Sequence, residues 1–171
     1  SECVRALISG YERFKEERFK KAALKGLEYL ETRCPICYNG LRDIGLNEAE
    51  AFSAVTVVDA FLDAYGLTGN KRFLENALNY ACYILTWFYM YDTKNLRLKY
   101  NFHPISFSIT PRLSPYESVW VVSTFMRLFN VTKDDFWKNM AKLAYVEAVK
   151  WRSRNGGLSE GVFPYGLKEL K

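Results

Sequence analysis

Asp43, Glu48, Glu50, Glu117 and Glu160 stand where this 171-residue chain leaves or enters an apolar segment through a long connection. Carboxylates in unlike surroundings can hold different pKa values, so a pair of them can divide the work of acid and base. Asp43, Glu117 and Glu160 are the candidates for that work. Arg42 and Asp43 lie between Gly40 and Gly45, in a stretch that could approach a ligand closely. His103 is the sole histidine and the one side chain whose ordinary titration falls near neutral pH. Arg112, flanked by Pro111 and Pro115, could hold an anionic group. Tyr116 and Trp120 are four residues apart, hence on one helix face, and could stack on a ligand ring.

Each candidate also has a local explanation. Ser114-Pro115-Tyr116-Glu117 reads as a capping box, with Pro at the first helical position and Glu reaching back from the third. Asn47-Glu48-Ala49-Glu50 repeats that formula, and Glu48 would then favour the helix dipole. Arg42 and Asp43 could simply pair with each other. His103, beside Tyr100 and Phe102, could be packed rather than reactive, and an aromatic pair at helical spacing is core-forming by default.

The elements that must position these residues are helices. Three segments share one layout: Ala6–Phe19 (ALISGYERFKEERF), Ala60–Phe73 (AFLDAYGLTGNKRF) and Ser123–Phe136 (STFMRLFNVTKDDF). In each, Tyr11, Tyr65 or Leu128 precedes a phenylalanine by eight positions. Each phenylalanine begins an i, i+4, i+8 stripe: Phe19, Ala23, Leu27; Phe73, Ala77, Ala81; Phe136, Met140, Ala144. That spacing marks a helix face. The pattern predicts three helical hairpins, at about 1–33, 48–91 and 115–151, within a single domain of 171 residues. Gly66 and Gly69 are expected to end the first helix of the middle hairpin, and Asn70 to cap the second. Thr132-Lys-Asp-Asp135 takes that part in the last one. Long connections (about 33–47, 92–114 and the tail from 152) are expected to gather at one end, opposite the bends, where function usually sits.

The segment Asp63-Ala64-Tyr65-Gly66-Leu67-Thr68-Gly69-Asn70-Lys71-Arg72-Phe73-Leu74-Glu75-Asn76-Ala77 resembles the recurring hairpin pattern D-A-Y-x-L-T-G-N-x-R-F-L-x-x-A of the six-hairpin glycosidase-like proteins, the alpha/alpha toroids. The resemblance implies an all-α fold of antiparallel helical hairpins, here three, forming part of a toroid as a half-ring. It implies a saccharide as ligand, bound where long loops enter the inner helices. Catalysis, if any, would be of the glycoside hydrolase kind, with Glu117, Asp43 and Glu160 as its carboxylates and Arg42, His103, Arg112, Tyr116 and Trp120 as saccharide contacts. Three hairpins in place of six suggest a homodimer or a missing second half. The alternative is a non-catalytic helical-repeat module that presents the same face to a protein partner.

Composition narrows the classes. Apolar residues make up 49% of the chain, enough for a sizeable core. The longest apolar run, Ala81–Met90, is about half of what a membrane span needs. Arg5, Glu12 and Arg13 interrupt the only early apolar run, so no signal peptide is legible and a cytoplasmic location is expected. A formal charge of +5 with acids interspersed does not form a nucleic-acid footprint. Glutamine is absent, a thermophile tendency. Cys34-Pro-Ile-Cys37 has no second CxxC to complete a zinc site, and Cys82 reads as a small core residue. Nothing calls for a metal or a cofactor, since phosphate loops and HExxH motifs are missing.

Overall fold

The computed structural model describes residues 1–33, 40–42, 46–48, 51–88 and 115–150. Six helices account for most of them: α1 (Glu2–Phe14), α2 (Glu17–Arg33), α3 (Ala51–Thr68), α4 (Lys71–Leu85), α5 (Pro115–Thr132) and α6 (Asp135–Lys150). A short antiparallel ribbon, β1 (Gly40–Arg42) with β2 (Leu46–Glu48), lies between α2 and α3. The chain divides into two compact units, Ser1–Tyr83 and Ile84–Lys171, with the boundary inside α4.

The three bends share one backbone solution. Lys15, Gly69 and Lys133 take left-handed conformations (φ 57°, 67° and 60°). Their amides donate to the carbonyls of Tyr11, Tyr65 and Phe129, each at 2.8 Å, which satisfies a carbonyl the helix end would leave open. The second helix starts two residues on, at Glu17, Lys71 and Asp135, and the residue between can cap it. Asn70 Oδ1 accepts from the Arg72 amide at 3.0 Å, and Asp134 Oδ1 accepts from the Phe136 amide at 2.9 Å. Thr68 and Thr132 join both sides of their bends: each hydroxyl donates to a carbonyl four residues back and accepts from the amide two residues ahead.

This geometry corrects two sequence expectations. Gly66 lies within α3, and only Gly69 supplies the left-handed turn. Counted from the bends, the residues equivalent to Tyr11 and Phe19 in the third hairpin are Phe129 and Trp137, one place beyond Leu128 and Phe136. Burial agrees, for Trp137 is 4% exposed and Phe136 is 42% exposed. The packed stripe of α6 is Trp137, Ala141, Ala144 and Ala148, matching Phe73, Ala77, Tyr80 and Ile84 of α4. The sequence repeat was misread because two aromatic residues stand side by side at the start of α6.

In the first unit, α3 is the central element. From Ala54 to Ala64 every residue is buried except Asp59 and Asp63, so the helix is covered on nearly all sides. Phe61 stacks on Phe73 and tilts against Tyr80, with ring centroids 6.3 and 5.8 Å apart. α1 packs on α2 through Val4, Ile8, Ala23 and Leu27. Ser1 meets the hydroxyl of Thr56, and Arg5 meets Asp59 and Asp63, so α1 and α3 run side by side in the same sense. In the second unit, Phe125 lies between Phe88 and Trp137, with centroids 6.3 and 5.3 Å away.

Two glycines in the first hairpin should respond in opposite ways to an added methyl. A Cβ at Gly10 would sit 3.5 Å from the Phe19 ring, an ordinary contact. Gly10→Ala is therefore expected to stabilise the chain by about 0.5–1 kcal/mol through helix propensity. A Cβ at Gly26 would lie 2.7 Å from Cγ2 of Val4, a buried β-branched side chain with little freedom to turn. Gly26→Ala should lower the melting temperature, because overpacking of about 1–3 kcal/mol exceeds the gain in propensity. Thermal melts of both variants check the pair.

Candidate functional site

The start of α5 gathers three of the expected residues. Pro115 opens the helix, where its missing amide hydrogen costs nothing, and Tyr116 and Glu117 follow in the first turn. Trp120 comes one turn later and is 39% exposed, although Ser118 and Val121 on either side of it are fully buried. Val121, Thr124 and Leu128 form a buried stripe further along α5. One turn into α5 the structure places a half-exposed indole. An indole so placed can offer a flat apolar platform.

The ribbon positions Arg42. Gly40 pairs with Glu48, Leu41 with Asn47 and Arg42 with Leu46, so Arg42 is the last paired residue before the connection 43–45. β1 rests on α3, which anchors the ribbon to the first unit. Here a further expectation is corrected. Asn47 and Glu48 belong to β2, and α3 begins only at Ala51. Asn47 is therefore no helix cap, and Glu48 is not at a helix start where the dipole could favour it. Strand pairing took residues that the S/T/D/N-x-x-E formula assigns to a helix. Asp43, His103, Arg112 and Glu160 lie outside the described residues, as does the CxxC.

Two charged clusters escaped the sequence reading. Arg5 donates to Asp63 Oδ2 at 3.0 Å and lies 3.6 Å from Asp59 Oδ2 and 3.3 Å from Glu2. Burial opposes the charge on Arg5. The hydrogen bond to Asp63 and the fields of Asp59, Asp63 and Glu2 outweigh it, and the guanidinium is held charged beyond its ordinary range. The signal was legible: two acids four apart inside the apolar run Val57-Val58-Asp59-Ala60-Phe61-Leu62-Asp63 require a cation. In the second cluster Glu31, 10% exposed, is gripped through both oxygens by Arg72 and also bonded by Asn76. This cluster joins α2 to α4. Both clusters are satisfied ion pairs that fasten helices, so neither offers a vacant acid.

Cys82 is exposed on α4 rather than packed in the core, as is Cys3 on α1. Its neighbours Ala81 and Ile84 carry the buried stripe, and position 82 falls off that face. Among the described residues no group of three or more His, Cys, Asp or Glu side chains is placed to hold a metal ion. No described helix is long and apolar enough to cross a membrane.

Six helices paired at tight bends, with α3 covered on nearly all sides, define the hairpin architecture of the alpha/alpha toroids. Two solved structures with that fold align with this chain, each at a TM-score of 0.63. One is a glycoside hydrolase family 76 (mannosidase) protein from Bacteroides thetaiotaomicron, 16% identical over 92% of this chain and 46% of its own. The other is a D-mannose isomerase, 15% identical over 95% of this chain and 44% of its own. The chain therefore spans less than half the length of these toroids. At such identities the likeness establishes the fold. No protein-family pattern matches the chain, and no curated protein sequence aligns with it.

Proposed function

We propose that this chain is the saccharide-binding part of a glycoside hydrolase-like toroid, with a mannose-configured sugar as its ligand. The observation that carries this reading is its alignment, over nearly its whole length, with a mannosidase and a mannose isomerase. The half-exposed Trp120 beside position 117 supports it, since an indole face suits the apolar face of a pyranose. In this reading Glu117, Asp43 and Glu160 supply the acid and its partner carboxylate. A separation of about 5–5.5 Å between the two working carboxyl groups would give retention, and about 6.5–9.5 Å inversion. Arg42, His103, Arg112 and Tyr116 would hold sugar hydroxyls or a carboxylate substituent.

Titration with manno-oligosaccharides, followed by tryptophan fluorescence and calorimetry, tests the proposal. Binding is expected for mannosides and weaker binding for glucosides. Trp120→Ala should weaken it at least tenfold, about 1.4 kcal/mol. The far-ultraviolet circular dichroism of the variant should stay unchanged, which separates loss of binding from loss of fold. Absence of binding to every mannoside and related glycan would sink the reading.

A further inference from the structure

We infer that the first bend, around Phe14, docks onto an anionic lipid bilayer, with the Phe14 ring entering the interface and the surrounding Lys and Arg side chains meeting the headgroups. The three bends share a backbone but not their side chains. One residue before the left-handed position stand Phe14, Thr68 and Thr132. The two threonines tie their bends together by hydrogen bonds on both sides. Phe14 has no group to do so, and it is 60% exposed. One residue after that position stand Glu16, Asn70 and Asp134. Asn70 and Asp134 cap the helix that follows, whereas the Glu16 carboxylate pairs with Arg18. The first bend lacks both side-chain devices that hold the other two, so folding does not account for the residues it carries instead.

Those residues are an aromatic tip and a cluster of cations. From Glu12 to Lys25 the chain has Arg13, Lys15, Arg18, Lys20, Lys21 and Lys25 against three acids, of which Glu16 is taken by Arg18. That excess is more than half of the formal net charge of +5. The cations gather over the rings: Arg13 over Phe14 at 5.8 Å, Arg18 over Phe19 at 5.0 Å, and both Lys15 and Lys20 over Tyr11, at 5.8 and 5.3 Å. Phe14 and Phe19 are themselves 6.2 Å apart. In the third hairpin Lys138 takes the same place over Phe129, but Asp135 lies 3.8 Å away as its counter-ion. Among the described residues neither Lys15 nor Lys20 has an acid that close. Two ammonium groups over one ring repel each other, and an external anion relieves that repulsion. A phenyl ring carries no hydrogen-bonding group, and exposed at a bend it forms a wedge rather than a groove. Such a wedge within a cationic cluster suits the boundary between anionic headgroups and acyl chains. The inference stands apart from the saccharide reading and survives its failure.

Co-sedimentation of the 171-residue chain with lipid vesicles tests it. Binding is expected to vesicles of equal parts phosphatidylcholine and phosphatidylglycerol, weakening as salt is added, and not to vesicles of phosphatidylcholine alone. Phe14→Thr installs the residue of the other two bends, so it should keep the far-ultraviolet circular dichroism while weakening partitioning about tenfold or more. Lys21→Glu combined with Lys25→Glu, both on exposed positions, should abolish binding to the mixed vesicles. Failure to bind the mixed vesicles, equal binding to both kinds, or undiminished binding by either variant overturns the inference. So does a chain that binds heparin or an oligonucleotide but neither vesicle, since the cations would then serve a dissolved polyanion.

Discussion

Trp137→Ala is expected to destabilise the chain by about 3–5 kcal/mol, whereas Phe136→Ala should cost less than about 1 kcal/mol. The two residues are adjacent and both aromatic, so composition and helix propensity cannot separate them. Packing does. Trp137 is 4% exposed and lies 5.3 Å from the Phe125 ring, itself fully buried. Removing the indole would leave a cavity against Phe125, and the surrounding stripe of alanines has no side chains long enough to fill it. Phe136 is 42% exposed and meets Trp137 edge-on at 5.1 Å, a contact worth about 0.5–1.5 kcal/mol at most, and less where water reaches the ring. Urea unfolding followed by circular dichroism reads both values. Equal losses would mean that the third bend does not follow the register of Lys15 and Gly69.

That register shows how the fold was legible and where legibility ended. Helix type and hairpin order followed from periodicity, because buried alanines and aromatics at i, i+4 and i+7 leave few other ways to cover the same residues. Turn chemistry at Gly69-Asn70 was equally readable, since glycine removes the steric penalty of a positive φ and asparagine caps the following helix. Lys133 reaches the same conformation with a Cβ, and no residue type announces that. The ribbon at Gly40–Arg42 and Leu46–Glu48 was hidden for a related reason. Its three-residue strands are too short for alternation to show, and Asn47 with Glu50 mimics a capping box.

Residue types on α5 nominate the candidate site, and they carry no geometry. Four-residue spacing assigned Tyr116 and Trp120 to one helix face, and Trp120 is 39% exposed. The same spacing gave no warning of the buried stripe Val121, Thr124 and Leu128, which is recognisable only once burial is known. Asp59 and Asp63 were passed over as sites and prove to be the counter-charges of Arg5. An acid within an apolar helix is as well explained by a neighbouring helix's cation as by a substrate. Only the distance from Arg5 decides.

Under the proposed glycoside hydrolase-like function, Glu117→Gln is expected to reduce mannoside hydrolysis by about 10²–10⁴-fold, the usual contribution of a positioned general acid or base. Binding of the same mannoside should persist. The substitution is chosen because glutamine serves at the third position of a capping box as glutamate does. A residue that only caps α5 would tolerate the exchange, with rate and melting temperature nearly unchanged. A residue that transfers a proton would not, since an amide neither donates nor accepts one at neutral pH. Glu117→Ala completes the comparison: loss of the cap would cost about 0.5–2 kcal/mol of stability, so a variant that is both unstable and slow reports capping and chemistry together. Measured side by side, hydrolysis rate, mannoside affinity and melting temperature assign the carboxylate. A slow, stable, binding-competent Gln variant identifies an acid or base, and an active one returns Glu117 to the helix end that its sequence context describes.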